Sequence, residues 1–293
     1  DGKKLIFSSN RSGEWDIWTY ALDNHRYQHI MDRTGDQFQP VWAPDGNRIG
    51  FLEVQGGIHS NWVTTVTGRK PIRITDPHEM TGDGTWSPDG KQFGHTALNP
   101  ETDLWLYELG TGKASRIINQ AHMLAAWSPD GTEIAYLKKN EDFGNDIWKV
   151  DISTGVTLRL THDGRVSHQW ASIGWSPNGR FLSYTAGLDQ DKDLWLMSPN
   201  GGQEQPITMD EYQDSWHCWS PDSKEIAYTS KRNDKNGLWI IPASGGKARA
   251  LLQWDQSYSG CSWSPDGSQI SFWSEKEVWI TDIDGKHPRN LAK

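Results

Sequence analysis

His122, His168 and His217 are the side chains of this sequence best suited to hold a metal. Each stands a few residues ahead of a turn motif that begins with Trp127, Trp175 or Trp219. Glu79, Asp83, Asp214 and Tyr212 occupy the same kind of position. Imidazoles and carboxylates gathered from separate segments could chelate a divalent cation such as calcium or manganese. Their spacing follows no zinc-site rule. The competing expectation is a set of polar lead-in residues with no cofactor. Trp170, Trp216 and Trp254 stand near these groups, as do Tyr212, Tyr258 and Asp214. Aromatic faces beside an acid suit a sugar or a peptide, and equally suit packing. The run Asp189–Asp193 reads Asp-x-Asp-x-Asp, but it lacks the downstream Gly and Glu of a calcium loop, so an exposed hairpin tip is expected. There is no Gly-x-Ser-x-Gly, Gly-rich phosphate loop or zinc motif.

The frame that must position these groups is a repeat. A Trp-x-Pro-Asp-Gly turn or a near-copy begins at Trp42, Trp86, Trp127, Trp175, Trp219 and Trp263. After each turn comes a large–small–aromatic triplet, as in Ile134-Ala135-Tyr136 and Ile226-Ala227-Tyr228. In the copy Phe93-Gly94-His95 the imidazole replaces the aromatic, and a flat buried ring is expected there. A further strand carries Trp18, Trp62, Trp105, Trp148, Trp195, Trp239 or Trp279. Proline pre-sets φ, Asp bonds its own backbone and Gly accepts positive φ, so the turn reverses the chain tightly. Ser223 stands in place of Gly in one copy, where strain is expected. The unit is a four-stranded antiparallel sheet that cannot bury both faces alone. The turn-motif Trp reads as a wedge between sheets, its indole N–H needing an acceptor.

These motifs, as in "WSPDGTEIAY" followed by "DIW", resemble the TolB-like propeller repeat, a relative of the WD repeat. The resemblance covers residues 1–293 as a single domain and implies a seven-bladed all-β propeller. The strand ending in "WSP" would be innermost in each blade. Asp1-Gly2 reads as a seventh turn without its strand, so the first blade is expected to have three strands and the chain to be a processed product or a fragment. The Asp-Gly turns then lie on one face. The opposite face carries the variable loops, where binding usually lives.

The resemblance leads to a non-catalytic scaffold that grips a protein segment or a glycan at the mouth of the propeller, in the periplasm or outside the cell. An oligogalacturonate-type polysaccharide lyase using a metal is the alternative. It would draw ligands from His122, His168 and His217, with Tyr212 or Tyr258 near the base. A third reading is the propeller domain of a larger peptidase-like or envelope protein. The net charge of −9 argues against nucleic acid and against an acidic polymer without a metal. No apolar run is long enough to span a membrane. A monomer is expected. Cys218 and Cys261 stand one step out of register in neighbouring repeats, so free buried thiols are expected.

Overall fold

A computed structural model describes residues 2–31, 33–76, 80–97, 102–142, 144–166, 173–187, 192–274 and 277–291, with backbone alone for residues 83 and 122–125. Seven antiparallel sheets follow one another along the chain, the blades of a seven-bladed β-propeller. Blade 1 has three strands, Lys4–Ser9, Asp16–Ala21 and Arg26–His29, the counterparts of the second to fourth strands elsewhere. Blade 2 comprises Asp36–Trp42, Arg48–Gln55, Ile58–Thr65 and Ile72–Arg73; blade 3 comprises Thr81–Trp86, Gln92–Ala97, Asp103–Glu108 and Lys113–Ile118. Blade 4 comprises His122–Trp127, Glu133–Lys139, Asn145–Asp151 and Thr157–Arg159; blade 5 comprises Ile173–Trp175, Leu182–Ala186, Asp193–Met197 and Gln205–Pro206. Blade 6 comprises Asp214–Trp219, Glu225–Arg232, Lys235–Pro242 and Arg249–Trp254; blade 7 comprises Tyr258–Trp263, Gln269–Ser274, Glu277–Asp282 and Arg289–Asn290. Two compact units divide the chain, Asp1–Lys138 with Val150–Thr157 and Lys139–Lys149 with Leu158–Lys293. No helix among the described residues is long and apolar enough to cross a membrane.

The turn motif closes through its serine and its acid. The Ser128 hydroxyl donates to Asp130 Oδ1 (2.6 Å), while the amides of Thr132 and Glu133 donate to Asp130 Oδ1 and Ser128 Oγ (3.0 and 2.9 Å). The same bonds recur at Ser87/Asp89, Ser176/Asn178, Ser220/Asp222 and Ser264/Asp266. Donors aimed at the carboxylate, the Ser128 hydroxyl first, hold Asp130 below its ordinary range. Ser223 adopts φ 63° where the other copies use glycine. Its hydroxyl accepts the Asn178 amide (3.0 Å), a bond glycine could not make.

The wedge role of the turn-motif Trp is visible in its acceptors. Trp86 Nε1 donates to Val41 O (3.3 Å), Trp219 Nε1 to Ser183 Oγ (2.8 Å) and Trp263 Nε1 to Cys218 O (3.2 Å), each in the preceding blade. The triplet aromatics Phe51, Tyr136, Tyr184, Tyr228 and Phe272 are buried, and His95 is buried in their place. Phe93 lies so close to Gly50 and Gly84 that a Cβ at either would overlap its ring.

The expectation of free thiols is overturned. Cys218 and Cys261 form a disulfide, with Cα atoms 5.9 Å apart. The one-step offset is what permits it. Successive residues of a strand point to opposite faces. Repeat-equivalent residues share a direction, so two of them cannot meet between neighbouring blades. His217 reaches back to Ser183 of blade 5, which leaves Cys218, its neighbour, facing blade 7. Cys261 is the equivalent of His217 and faces back toward blade 6.

Candidate functional site

The first strand of most four-stranded blades starts at the loop end with an irregularity. Register shifts interrupt its pairing in blades 2, 3, 4, 6 and 7. A β-bulge of this kind turns a side chain away from the regular alternation. In blade 6 the bulged residue is Trp216, at φ 26°. The equivalent residue is Gln39 (φ 51°) in blade 2 and Gly260 (φ 62°) in blade 7. Glycine holds that conformation without strain, whereas a bulky side chain there is an outlier. Trp216 is half-buried.

Around Trp216 the sequence-predicted residues divide by environment. Asp214 is fully buried, and burial pushes its carboxyl up to about 7, with Thr208, Ser230 and Arg232 acting the other way. Arg232 stands 3.9 Å from Asp214, binds Asp210 at 2.8 Å and donates to Tyr228 Oη at 2.9 Å. Its guanidinium lies 4.3 Å from the Trp239 ring and 5.3 Å from the Tyr212 ring. Tyr212 is half-buried, and its hydroxyl donates to Asn233 Oδ1 (3.1 Å). His217 is held in packing: Nε2 lies 2.7 Å from Ser183 Oγ, and burial pulls the imidazole down to about 4.

Trp254 closes the fourth strand of blade 6 and packs on rings of blade 7. Its centroid lies 4.7 Å from Trp279, 5.8 Å from Tyr258 and 6.0 Å from Phe272. Tyr258 is buried in the same cluster, and burial raises its phenol. Glu79, His168, Trp170 and residues 189–191 of the acidic run lie outside the described residues, as do the side chains of Asp83 and His122. Among the described residues no three His, Cys, Asp or Glu side chains come together as a metal site.

A second location was not singled out from the sequence. The acid or hydroxyl that opens the third strand meets a side chain on the fourth. Arg73 Nη2 donates to Ser60 Oγ (2.7 Å), Arg116 binds Asp103 (3.2 Å) and Arg159 binds Asp146 (2.7 Å). In blade 1 the base is the shorter His29, whose Nε2 lies 3.1 Å from Asp16 Oδ2. There the loop end opens into a cleft of about 600 Å³ lined by Ser12, Glu14, Asp16, His29, Arg33 and Thr34. Aligning the repeats on Trp18, Trp62 and Trp105, which pair with His29, Arg73 and Arg116, would have shown histidine where blades 2 and 3 carry arginine, and where blades 5, 6 and 7 carry Pro206, Ala250 and Asn290.

Comparison with known proteins agrees with the fold. A "Protein TolB homolog" of Chlorobium luteolum is 26% identical over 160 residues, which span 53% of this chain and 36% of that protein. An uncharacterized protein of Agrobacterium fabrum is 31% identical over 197 residues, 64% of each chain. A "Tol-Pal system protein TolB" of Anaeromyxobacter dehalogenans is 28% identical over 86 residues, 29% of this chain and 20% of that one. The chain thus spans less than two thirds of the length of these relatives. Among solved structures, a puromycin-hydrolyzing peptidase of Mycobacterium tuberculosis superposes with a TM-score of 0.80 at 12% identity, covering 99% of this chain and 51% of that one. An oligogalacturonate lyase in complex with manganese gives 0.76 at 13% identity, covering 100% and 86%. At such identities the likeness shows the fold alone. Residues 112–293, more than half of the chain, match the family described as the TolB beta propeller domain, and the chain belongs to that family.

Proposed function

We propose that this chain is a non-catalytic binding propeller whose loop ends hold a segment of another protein. The observation that carries the reading is Trp216, a half-buried indole kept at φ 26° inside a bulge beside Asp214. Strain of that kind persists where the surroundings impose it, and it clusters at binding surfaces. Tryptophan is also prominent among the anchors of protein interfaces. The neighbouring blade places glycine at the same point, so the fold itself does not require an indole there. TolB relatives named for the Tol-Pal system support a protein ligand. The Cys218–Cys261 disulfide supports a periplasmic or extracellular location, since such bonds persist in oxidising compartments.

The test is selection from a displayed peptide library in parallel with a glycan array, using wild type and Trp216→Ala. Enriched peptides whose affinity falls about tenfold or more in the variant support the reading. Glycans retained in place of peptides, or peptides indifferent to Trp216, overturn it.

A further inference from the structure

The blade 1 cleft has an explanation in the other blades. In blades 3 and 4 a guanidinium sits on the acid that opens the third strand, Arg116 on Asp103 and Arg159 on Asp146. Blade 1 keeps the acid, Asp16, which is buried, but supplies histidine from the fourth strand. An imidazole is shorter than an arginine side chain. His29 lies flat on Trp18, with centroids 4.5 Å apart and planes 12° from parallel. It contacts only one carboxylate oxygen of Asp16, and that oxygen also accepts from Ser12 Oγ (2.5 Å). The other oxygen has Gln37 Nε2 at 3.5 Å, the limit of a hydrogen bond. The space an arginine head would fill remains open as the cleft.

The charges around that space favour a cation. Arg33 is committed elsewhere: Nε and Nη2 donate to Glu53 (2.5 and 3.3 Å), and the guanidinium lies 4.0 Å from the Trp62 ring. Glu14 is exposed at the rim and makes no ion pair among the described residues. The lining therefore holds the Glu14 and Asp16 carboxylates against the His29 imidazole, which touches one oxygen of Asp16, and one arginine already matched by Glu53. Ser12 and Thr34 add hydroxyl oxygens that can accept from N–H donors.

We propose that this cleft is a seat for a basic side chain, the guanidinium or alkylammonium of an arginine or lysine carried by a bound protein segment. The proposal rests on the reading that the loop ends hold a protein segment, and adds the chemistry of one anchor. The carboxylates and hydroxyls of the lining match a planar or tripod N–H donor.

The experiment uses the full chain with 15N-labelled tryptophan and follows the indole signals of Trp15 and Trp18. N-acetyl-arginine amide is titrated against its uncharged analogue N-acetyl-citrulline amide, with inorganic phosphate as the anionic control. The arginine probe is expected to shift these signals, while citrulline and phosphate leave them in place. Glu14→Gln, at an exposed position, should weaken the probe about tenfold, as expected for loss of a charge-assisted hydrogen bond. His29→Arg puts the arginine of the sister blades into the seat and should abolish binding while the thermal melt stays cooperative. An equal response to citrulline, a response to phosphate instead, or undiminished binding by His29→Arg overturns the seat. The two readings fail separately. A peptide that depends on Trp216, together with an arginine probe that leaves the Trp15 and Trp18 signals in place, removes the seat and leaves the scaffold. An arginine probe that binds while the peptide selection returns nothing leaves the seat and removes the scaffold.

Discussion

Ser183 Oγ lies 2.7 Å from His217 Nε2, so one hydroxyl of blade 5 holds the imidazole of blade 6. Ser183 donates to Gly174 O (3.1 Å) and accepts from Trp219 Nε1 (2.8 Å). Ser183→Ala would leave the buried Trp219 N–H without its acceptor and remove the hydroxyl partner of His217. A loss of about 1–3 kcal/mol is expected in urea melts. A change below about 0.5 kcal/mol would mean that the hydroxyl is not the hub its geometry indicates.

Acid sensitivity should trace to the buried imidazoles. Burial pulls both His95 and His217 from 6.5 to about 4. A histidine whose value is lower in the folded state binds fewer protons there than in the unfolded chain. Stability is therefore full above about pH 6.5 and is lost as pH falls toward 4. His95→Phe, which restores the aromatic found in the other triplets, should flatten the stability profile between those values. An unchanged slope would show that His95 is not buried as a neutral ring.

Asp214 should act in the opposite direction. Its carboxyl is raised from 3.8 to about 7, so the folded state holds the proton more tightly. The cost is absent below about pH 4, grows as pH rises and is complete above about 7. Asp214→Asn should raise stability at pH 8, where the buried carboxylate is charged, by about 1–3 kcal/mol. The gain should disappear near pH 4. Melts at the two pH values decide, and a variant less stable at pH 8 would show that the charge is compensated by Arg232.

Trp127 is a buried wedge in blade 4, and Trp127→Ala should cost about 3–5 kcal/mol. Gly50→Ala would press a methyl into the Phe93 ring, and overpacking of that kind costs about 1–3 kcal/mol. Denaturant midpoints test both. If Gly50→Ala proves neutral, the Phe93 ring has room to retreat.

Removing the disulfide with Cys218→Ser and Cys261→Ser should lower stability by about 2–4 kcal/mol, as for other cross-links of intermediate loop length. Wild type melted with and without reductant should show the same difference. Coincident curves for oxidised protein and double variant would mean that the bond adds nothing to the fold.

The blades were legible because their punctuation is local. Pro, Asp and Gly set a turn within a few residues, and the Trp and triplet positions recur at similar distances. The site was less legible because its determinants lie between strands. Nothing near Trp216 announces a bulge, since left-handed backbone there is shared by Gln39 and Gly260, residues of unlike chemistry. The cysteine pairing was misjudged because equivalence along the repeat is not proximity between blades: facing positions carry an odd offset. The His29 cleft required comparing fourth strands, the shortest and most variable of the unit.

The disulfide also determines what a protease can release. Its sulfurs join residues 43 apart, and between them the hairpin tip of blade 6 exposes Asn233 and Asp234 in left-handed conformation. Such tips are favoured sites of nicking. A cut there severs the polypeptide but not the molecule, because the sulfur bridge still ties the part before the cut to the part after it. The nick would be silent under oxidising conditions and would yield two fragments only on reduction.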